Sequence, residues 1–394
     1  MTDLCGESRR VKRTAGDGSG SPLELYVHVP FCVRKCGYCD FYSAPGTEKT
    51  QKAYVDTVIR EIGESPFGKA PGETVTSVFF GGGTPSILPE EELVRILDAL
   101  RSVFRFSDNA EITVECNPGT VTPEKLSAYR EAGVNRISLG LQSADDGILK
   151  RIGRIHSFRD FTESYRAVRE AGFSNVSVDL ISGLPGDTPE NFEKGLKTVL
   201  DLRPEHLSVY ALILAENTPF YALYEAGKLD LPSEEAERAE YHLARRLTRE
   251  EGYEQYEISN FALPGYRCRQ NEGYWTHVPY LGFGSAAASF YGGKRFQNAE
   301  SLSYADLPYE SCETLTPAEL ENEFLMLGFR RLDGISERDF VRRFGHSFFE
   351  TKRREIAKLE AEGLIREKKK GGDRILALTE RGLDLANRVF MEFV

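Results

Sequence analysis

The chain has 394 residues, enough for a large core and for two or three domains. Its 61 acidic residues outnumber its 50 basic ones, which excludes the basic face needed for broad nucleic-acid binding. No apolar run is long enough to cross a bilayer. Residues 1–21 are basic and lack the apolar centre of a signal peptide, so we predict a disordered arm there and a cytoplasmic protein.

From Leu23 to Leu214, strand-like and helix-like patterns alternate, as expected for βα units around a parallel sheet. The predicted strands are Leu25–Val29, Ser77–Phe80, Glu111–Glu115, Arg136–Leu139, Asn175–Ile181 and His206–Leu212. The predicted helices are Lys49–Ile62, Glu90–Val103, Pro123–Ala132, Phe158–Ala171 and Pro189–Leu200. The fold class is therefore α/β, with a partial (β/α)6 barrel over residues 22–230.

The rest of the chain divides into two regions with different sequence patterns. Residues 231–310 form a barrel extension and linking region whose aromatic, glycine-rich stretch Tyr274–Ser285 either lines an apolar pocket or packs as a core strand. Residues 311–394 predict three amphipathic helices, of which Ser347–Glu362 is the last, then a β-hairpin with a lysine-rich tip and a final helix. We interpret this region as a winged-helix-like α+β domain. Because Ser347–Glu362 has about as many acidic as basic residues, we expect the domain to pack or to dock a partner rather than to bind DNA.

Three cysteines, Cys32, Cys36 and Cys39, follow the first predicted strand on one short loop. Cubane iron–sulfur clusters normally take four thiolates, so three without a fourth predict a cluster with one iron open to another ligand. A structural zinc completed by His28 is the alternative, although zinc sites usually draw on two separated ligand pairs. Seven cysteines in the whole chain are too sparse and odd in number for a disulfide framework.

Further unusual motifs follow the next predicted strands. They are Gly81–Pro85, Glu115–Gly119 and Gly140–Gln142, and Asp179 lies within the fifth strand. Because the carboxyl ends of parallel strands meet at one edge of a sheet, we expect all of them at the mouth that holds the cysteines. For any single polar residue, bonding to neighbouring backbone is the simpler alternative.

With these residues in place, the Cys-x3-Cys-x2-Cys loop resembles the signature of the radical S-adenosylmethionine superfamily. Longer matches resemble the oxygen-independent coproporphyrinogen III oxidase group. They are His28–Cys32, Phe79–Ser86, Glu115–Thr120, Arg136–Ser143, Gly153–His156, Asp179–Gly186 and Gln255–Phe261.

The resemblance implies that Cys32, Cys36 and Cys39 hold a [4Fe–4S] cluster whose open iron binds S-adenosylmethionine. One electron from the cluster would then split the sulfonium to methionine and a 5′-deoxyadenosyl radical. On the family pattern, the residues that match S-adenosylmethionine-contacting positions are Tyr26, Gly82, Gly83, Thr84, Glu115, Gln142, Arg154 and Asp179.

Within this group, the chain is most similar to the HemW heme chaperone branch. Oxidases carry a further cysteine directly after the third cluster ligand and a longer N-terminal arm, whereas this chain has Asp40-Phe41 and only 31 residues before Cys32. The C-terminal run Leu378–Leu385 also resembles HemW. The resemblance implies heme binding and delivery to a respiratory protein, at most transient membrane contact, and no coproporphyrinogen oxidase activity. That oxidase, or another radical reaction on a tetrapyrrole, is the alternative.

One position departs from the HemW pattern. The branch has a histidine-asparagine pair ahead of Tyr-Trp in a proposed heme-binding motif, and this chain has Gln270-Asn271 there. An amide is a poor ligand for heme iron. Heme at this motif would therefore need Cys268, Tyr274 or His277 as its ligand, or would bind through apolar contacts alone.

Overall fold

The computed structural model describes residues 20–67 and 72–394. The predicted arm, residues 1–21, lies outside this part except for its last two residues. Within the described ranges, no helix has the length and apolar character required to span a membrane.

Six parallel strands form the first half, as predicted. They are β1 (Ser21–Val29), β2 (Glu73–Gly82), β3 (Phe106–Cys116), β4 (Arg136–Gln142), β5 (Val176–Ser182) and β6 (His206–Ala211). Each predicted strand is present, and most are longer than the apolar pattern alone suggests. Helices connect them: α1 (Glu48–Glu64), α2 (Glu90–Val103), α3 (Pro123–Glu131), α4 (Asp146–Arg151), α5 (Phe158–Glu170) and α6 (Pro189–Asp201). All five predicted helices are confirmed; α4 is additional.

Strand alternation divides the side chains of this barrel between two environments. On β1, Leu25, Val27 and Val29 are fully buried in the core cluster under the helices, while Glu24 and Tyr26 point the other way, into the barrel. The barrel interior is consequently polar at many positions. This polar interior, rather than the apolar outer layer, carries the residues relevant to function.

The next region extends the sheet at both edges. Its elements are α7 (Pro219–Glu225), α8 (Glu234–Glu250), β7 (Glu254–Gln255), β8 (Asn260–Ala262), α9 (Arg269–Trp275), β9 (Tyr280–Phe283), β10 (Ala288–Tyr291), β11 (Lys294–Gln297) and β12 (Ser311–Thr314). The strand order is β12-β11-β10-β9-β1-β2-β3-β4-β5-β6-β8-β7, so the barrel is open rather than closed. Within the aromatic stretch, the strand alternative is correct for β9, which pairs in parallel with β1.

Helix α9 closes the amino-terminal end of the barrel. The Gln270 Oε1 atom accepts a 2.7 Å hydrogen bond from Ser77 in the first half of β2, and the Arg269 N–H donates to Glu111 in β3. A Cβ on Gly273 would lie 1.9 Å from Glu24 Oε1 in β1, so any larger residue would require the buried Glu24 side chain to move. We call residues 268–277 the base segment.

The C-terminal elements have a hydrophobic core of their own. They are α10 (Pro317–Gly328), β13 (Ile335–Ser336), α11 (Glu337–Phe344), α12 (Phe348–Thr351), α13 (Arg353–Ala361), β14 (Ile365–Lys370), β15 (Asp373–Leu378), α14 (Glu380–Asp384) and α15 (Ala386–Phe390). The β14–β15 hairpin and the helices before it confirm the winged-helix-like prediction. The single predicted helix Ser347–Glu362 is interrupted at Lys352, whose backbone leaves the helical region (φ −113°).

Candidate cluster and cofactor site

The cysteine loop leaves β1 at the carboxyl end of the sheet and is fastened by backbone hydrogen bonds. Ala44 N donates to Pro30 O at 2.6 Å, which closes the loop on itself. Gly37 N donates to Ile152 O, and Phe220 N donates to Gly37 O, so the end of α4 and the start of α7 hold its middle. A Cβ on Gly37 would lie 2.5 Å from the Phe220 ring. The loop is thus rigidly placed, and its three thiols remain partly exposed.

A chain of polar contacts links two of these thiols through Thr84, Asn117 and Arg154. Cys32 Sγ lies 3.5 Å from Thr84 Oγ1, which accepts a 2.7 Å hydrogen bond from Asn117 Nδ2. Asn117 Oδ1 in turn accepts from Arg154 Nη2 at 2.6 Å, and Arg154 Nη1 points at Cys36 Sγ at 3.7 Å. The guanidinium therefore supplies a positive charge beside a prospective thiolate.

The glycine run brings bare backbone to the same place. Gly83 N donates to Val29 O, and a Cβ on Gly83 would lie 2.7 Å from Phe31 O and 2.8 Å from Val29 O. Gly82 has φ +101°, and a Cβ there would meet the His28 ring at 2.5 Å. Gly82 favours glycine because of its positive φ and the adjacent His28 ring, and Gly83 because the backbone from Val29 to Phe31 passes directly over it.

Two carboxyl groups, those of Glu115 and Asp179, interact electrostatically inside the mouth. Burial and the neighbouring Asp179 raise the pKa of Glu115 to about 8, so Glu115 is protonated at neutral pH. Burial also raises the pKa of Asp179, but hydrogen bonds from serines and the charge of Arg136 oppose that shift. Ser138 Oγ lies within 3.2 Å of both Asp179 oxygens.

Tyr26 and His28 lie deeper along β1. The Tyr26 hydroxyl is 3.1 Å from His28 Nδ1, and His28 Nε2 is 3.0 Å from Tyr42 O on the cysteine loop. Both ring nitrogens of His28 already have protein partners, and burial lowers its pKa. The zinc alternative with His28 as fourth ligand therefore gains no support from the structure.

The donor set fits a polynuclear cluster. Within residues 20–67 and 72–394, no three His, Cys, Asp or Glu side chains converge on a site for a single metal ion. A cubane needs no such convergence, because each thiolate binds a different iron. Burial raises the pKa of the Cys39 thiol to about 11, so its thiolate form needs a compensating positive charge such as iron.

The structure brings the sequence-predicted residues to one mouth. Gln142, at the end of β4, adopts a left-handed backbone (φ +73°), and its side-chain nitrogen lies beside Gly140. Asn117 was missed as a site residue, although it belongs to the Glu115–Gly119 motif. Its distance of two residues from the inward-facing Glu115 was the available signal.

The residues considered as heme ligands lie elsewhere, at the base of the barrel. Cys268 is fully buried and His277 is 3% exposed. His277 Nε2 is 3.3 Å from Glu323 of α10, and its ring stacks on Phe290 with centroids 4.3 Å apart. Gln270 is bonded to Ser77 inside the barrel, and Tyr274 packs edge-on against Tyr280. These contacts are those of a packed structural segment.

Comparison with known proteins decides the family. The radical SAM superfamily matches residues 26–199, and the HemN C-terminal domain family matches residues 315–385. A heme chaperone HemW from Bacillus subtilis is 36% identical over 377 residues, which cover 94% of this chain and 98% of the relative. The chain belongs to the HemW heme chaperone family. A HemW from Lactococcus lactis is 33% identical and covers 95% of the chain and 97% of the relative.

A solved structure has the same fold. The coproporphyrinogen III oxidase HemN from Escherichia coli, described as a radical SAM enzyme, superposes with a TM-score of 0.80 at 25% identity. The superposition covers 95% of this chain and 90% of the oxidase. This likeness confirms the predicted α/β radical SAM architecture together with its C-terminal domain.

Proposed function

We propose that this HemW-family chain binds a [4Fe–4S] cluster and S-adenosylmethionine at the mouth of the barrel. Cys32, Cys36 and Cys39 would hold the cluster, which supplies one-electron chemistry when bound. The observation that carries the proposal is the contact chain from Cys32 through Thr84, Asn117 and Arg154 to Cys36, which builds a polar, glycine-lined cradle around the thiols.

The other predicted residues would bind S-adenosylmethionine. Gly82 and Gly83 would present backbone groups to the ligand, and Thr84 lies beside Cys32. Glu115 and Asp179 offer oxygens to an ammonium or to ribose hydroxyls. Tyr26, Gln142 and Arg154 complete the set.

We further propose that the chain binds heme at the same end and delivers it to a respiratory protein. Large apolar side chains are exposed around the mouth, which suits a flat apolar ring. They are Val33, Phe41, Ile155, Tyr210 and Ile213. The base segment offers no comparable surface. The barrel, residues 22–230, would thus hold the cofactors, residues 231–310 would close its base, and residues 311–394 would dock the partner.

The likeness to coproporphyrinogen III oxidase favours one alternative, radical decarboxylation of coproporphyrinogen III. The two functions are separated by anaerobic reconstitution with iron and sulfide, followed by incubation with coproporphyrinogen III, S-adenosylmethionine and a reductant, with hemin titration in parallel. We expect hemin binding without protoporphyrinogen formation. Product that disappears in Cys36→Ala would establish the oxidase instead.

The position of heme is tested by a matched pair of variants. Ile213, at the mouth, is 76% exposed, and Met391, in the C-terminal domain, is 74% exposed. Ile213→Ser should weaken hemin binding by a few-fold, because it removes apolar contact area, while Met391→Ser should not. Equal hemin affinities in both variants and the wild type would show that heme does not bind at the mouth.

A further inference from the structure

A continuous line of buried hydrogen bonds crosses the barrel from the base segment to Asp179. Cys268 N and Asn271 Nδ2 each donate to the Tyr256 hydroxyl oxygen at 3.4 Å. That hydroxyl lies 2.9 Å from His206 Nε2, and His206 Nδ1 lies 2.8 Å from Ser177 Oγ. Ser177 Oγ is 3.3 Å from Asp179 Oδ1.

The middle of the line is sealed from solvent. Ser177 and His206 are fully buried, and Tyr256 is 2% exposed. Burial and the nearby Arg136 lower the pKa of His206 well below its usual value, so its imidazole is neutral. A neutral imidazole donates a hydrogen bond from one nitrogen and accepts one at the other. Its tautomer therefore decides to which neighbour it donates.

The two ends of the line set its direction. A backbone N–H and an amide NH₂ can only donate, whereas an ionised carboxylate can only accept. Tyr256 therefore donates to His206 Nε2, His206 Nδ1–H donates to Ser177, and Ser177 donates to Asp179. The geometry predicts the Nδ1–H tautomer of His206, with every donor directed toward Asp179.

In this arrangement, Ser177 donates its only hydroxyl proton in a hydrogen bond to Asp179. If Tyr256 lost its hydroxyl, His206 could carry its proton on Nε2 and accept from Ser177 at Nδ1. Ser177 would then turn its proton away from Asp179, which would lose one of its donors. The base segment and the mouth are coupled in this way although they lie at opposite ends of the strands.

We propose that Tyr256 and His206 are positioning residues for the S-adenosylmethionine site, holding the Asp179 carboxylate from the base of the barrel. This inference rests on the proposed function, because it assigns Asp179 to that ligand. It also gives a role to two sequence motifs that the mouth leaves unexplained, Gln255–Phe261 and the base segment. The C-terminal domain adjoins the same line, since Leu332 N donates to Tyr256 O at 3.1 Å.

The first test measures the tautomer. In protein labelled with ¹⁵N-histidine, the His206 signal, assigned by its absence in His206→Gln, should show the Nδ1–H form. In Tyr256→Phe, this signal should shift toward the Nε2–H form. An Nε2–H tautomer in the wild type would overturn the inference, whatever the variants do.

The second test measures S-adenosylmethionine binding by calorimetry in the reconstituted protein. Tyr256→Phe should weaken binding about five-fold, as expected for one lost buried hydrogen bond. Tyr253→Phe is the matched control, because Tyr253 is also buried but donates its hydroxyl to Pro204 O, away from the line. Melting temperature and cluster absorbance verify that both variants fold and load.

The outcomes separate the two proposals. Wild-type protein that carries the cluster but does not bind S-adenosylmethionine would refute the proposed function and this inference with it. Wild-type binding that is unchanged in Tyr256→Phe would refute this inference alone. Equally weakened S-adenosylmethionine binding in Tyr253→Phe would show that the loss of any buried hydroxyl has the same effect. This result would also contradict the positioning role of Tyr256 and His206.

Discussion

At the scale of single residues, Asn117 shows what a linear pattern leaves out. Its motif was recognised and its direction followed from strand alternation, yet its role depends on two partners. One is Thr84, 33 positions earlier, and the other is Arg154, 37 positions later. Only the fold brings a donor and an acceptor to opposite sides of one amide.

Replacing Asn117 should change the electrostatics of the cluster. In Asn117→Ala, Arg154 loses a partner that holds its guanidinium 3.7 Å from Cys36, so less positive charge remains near the thiolate. We expect the reduction potential of the reconstituted cluster to become more negative, as followed by electron paramagnetic resonance in a redox titration.

Asn191→Ala is the control for this variant. Asn191, on α6, donates to Asp187 in the preceding loop and does not contact the cysteine loop. An unchanged potential in Asn117→Ala, with Asn191→Ala also unchanged, would show that Arg154 keeps its position without Asn117.

At the scale of elements, the helices and strands of the barrel agree with the sequence because their signals are local. Capping residues and proline mark where helices begin, as at Thr47, Thr122 and Ser157. Helix α9 is different. Its sequence suggested a ligand-binding motif, whereas its structure is a short helix packed into the amino-terminal end of the barrel.

The packing of α9 predicts opposite effects of the same substitution at two glycines. Gly273→Ala would place a Cβ 1.9 Å from Glu24, so we expect the free energy of unfolding to fall by about 1–3 kcal/mol. Gly63→Ala, near the end of α1, meets no atom within 4 Å and should raise it by about 0.5–1 kcal/mol. Urea denaturation measures both.

If Gly273→Ala were as stable as the wild type, α9 would not approach β1 as closely as described. Stabilisation in Gly63→Ala alongside it would show that the assay resolves changes of this size.

At the scale of the whole molecule, the barrel and the C-terminal domain meet at the base segment. Arg330 follows α10, donates to Glu257 at 3.3 Å and lies 4.3 Å over the Trp275 ring. Glu257 is fully buried and also accepts from Ser259 N and Asn260 Nδ2. The interface is therefore specific and polar at its centre.

Removing this arginine should be costly. Arg330→Ala leaves a buried carboxylate without its cationic partner, and we expect a loss of about 3–5 kcal/mol in the free energy of unfolding. Arg159→Ala breaks an exposed pair with Glu163 and should change stability by less than about 0.5 kcal/mol. Similar losses in the two variants would contradict a central role for the Arg330 contact.

The sequence alone determined the α/β class, the order of the barrel elements and the cysteine loop, because these follow from hydrophobic periodicity, helix caps and local spacing. Tertiary structure decided the rest. It placed Gln270 against Ser77, 193 positions away, and His206 against Ser177, 29 positions away. Such pairings depend on how strands register and how a helix packs across their ends, and no local pattern records that.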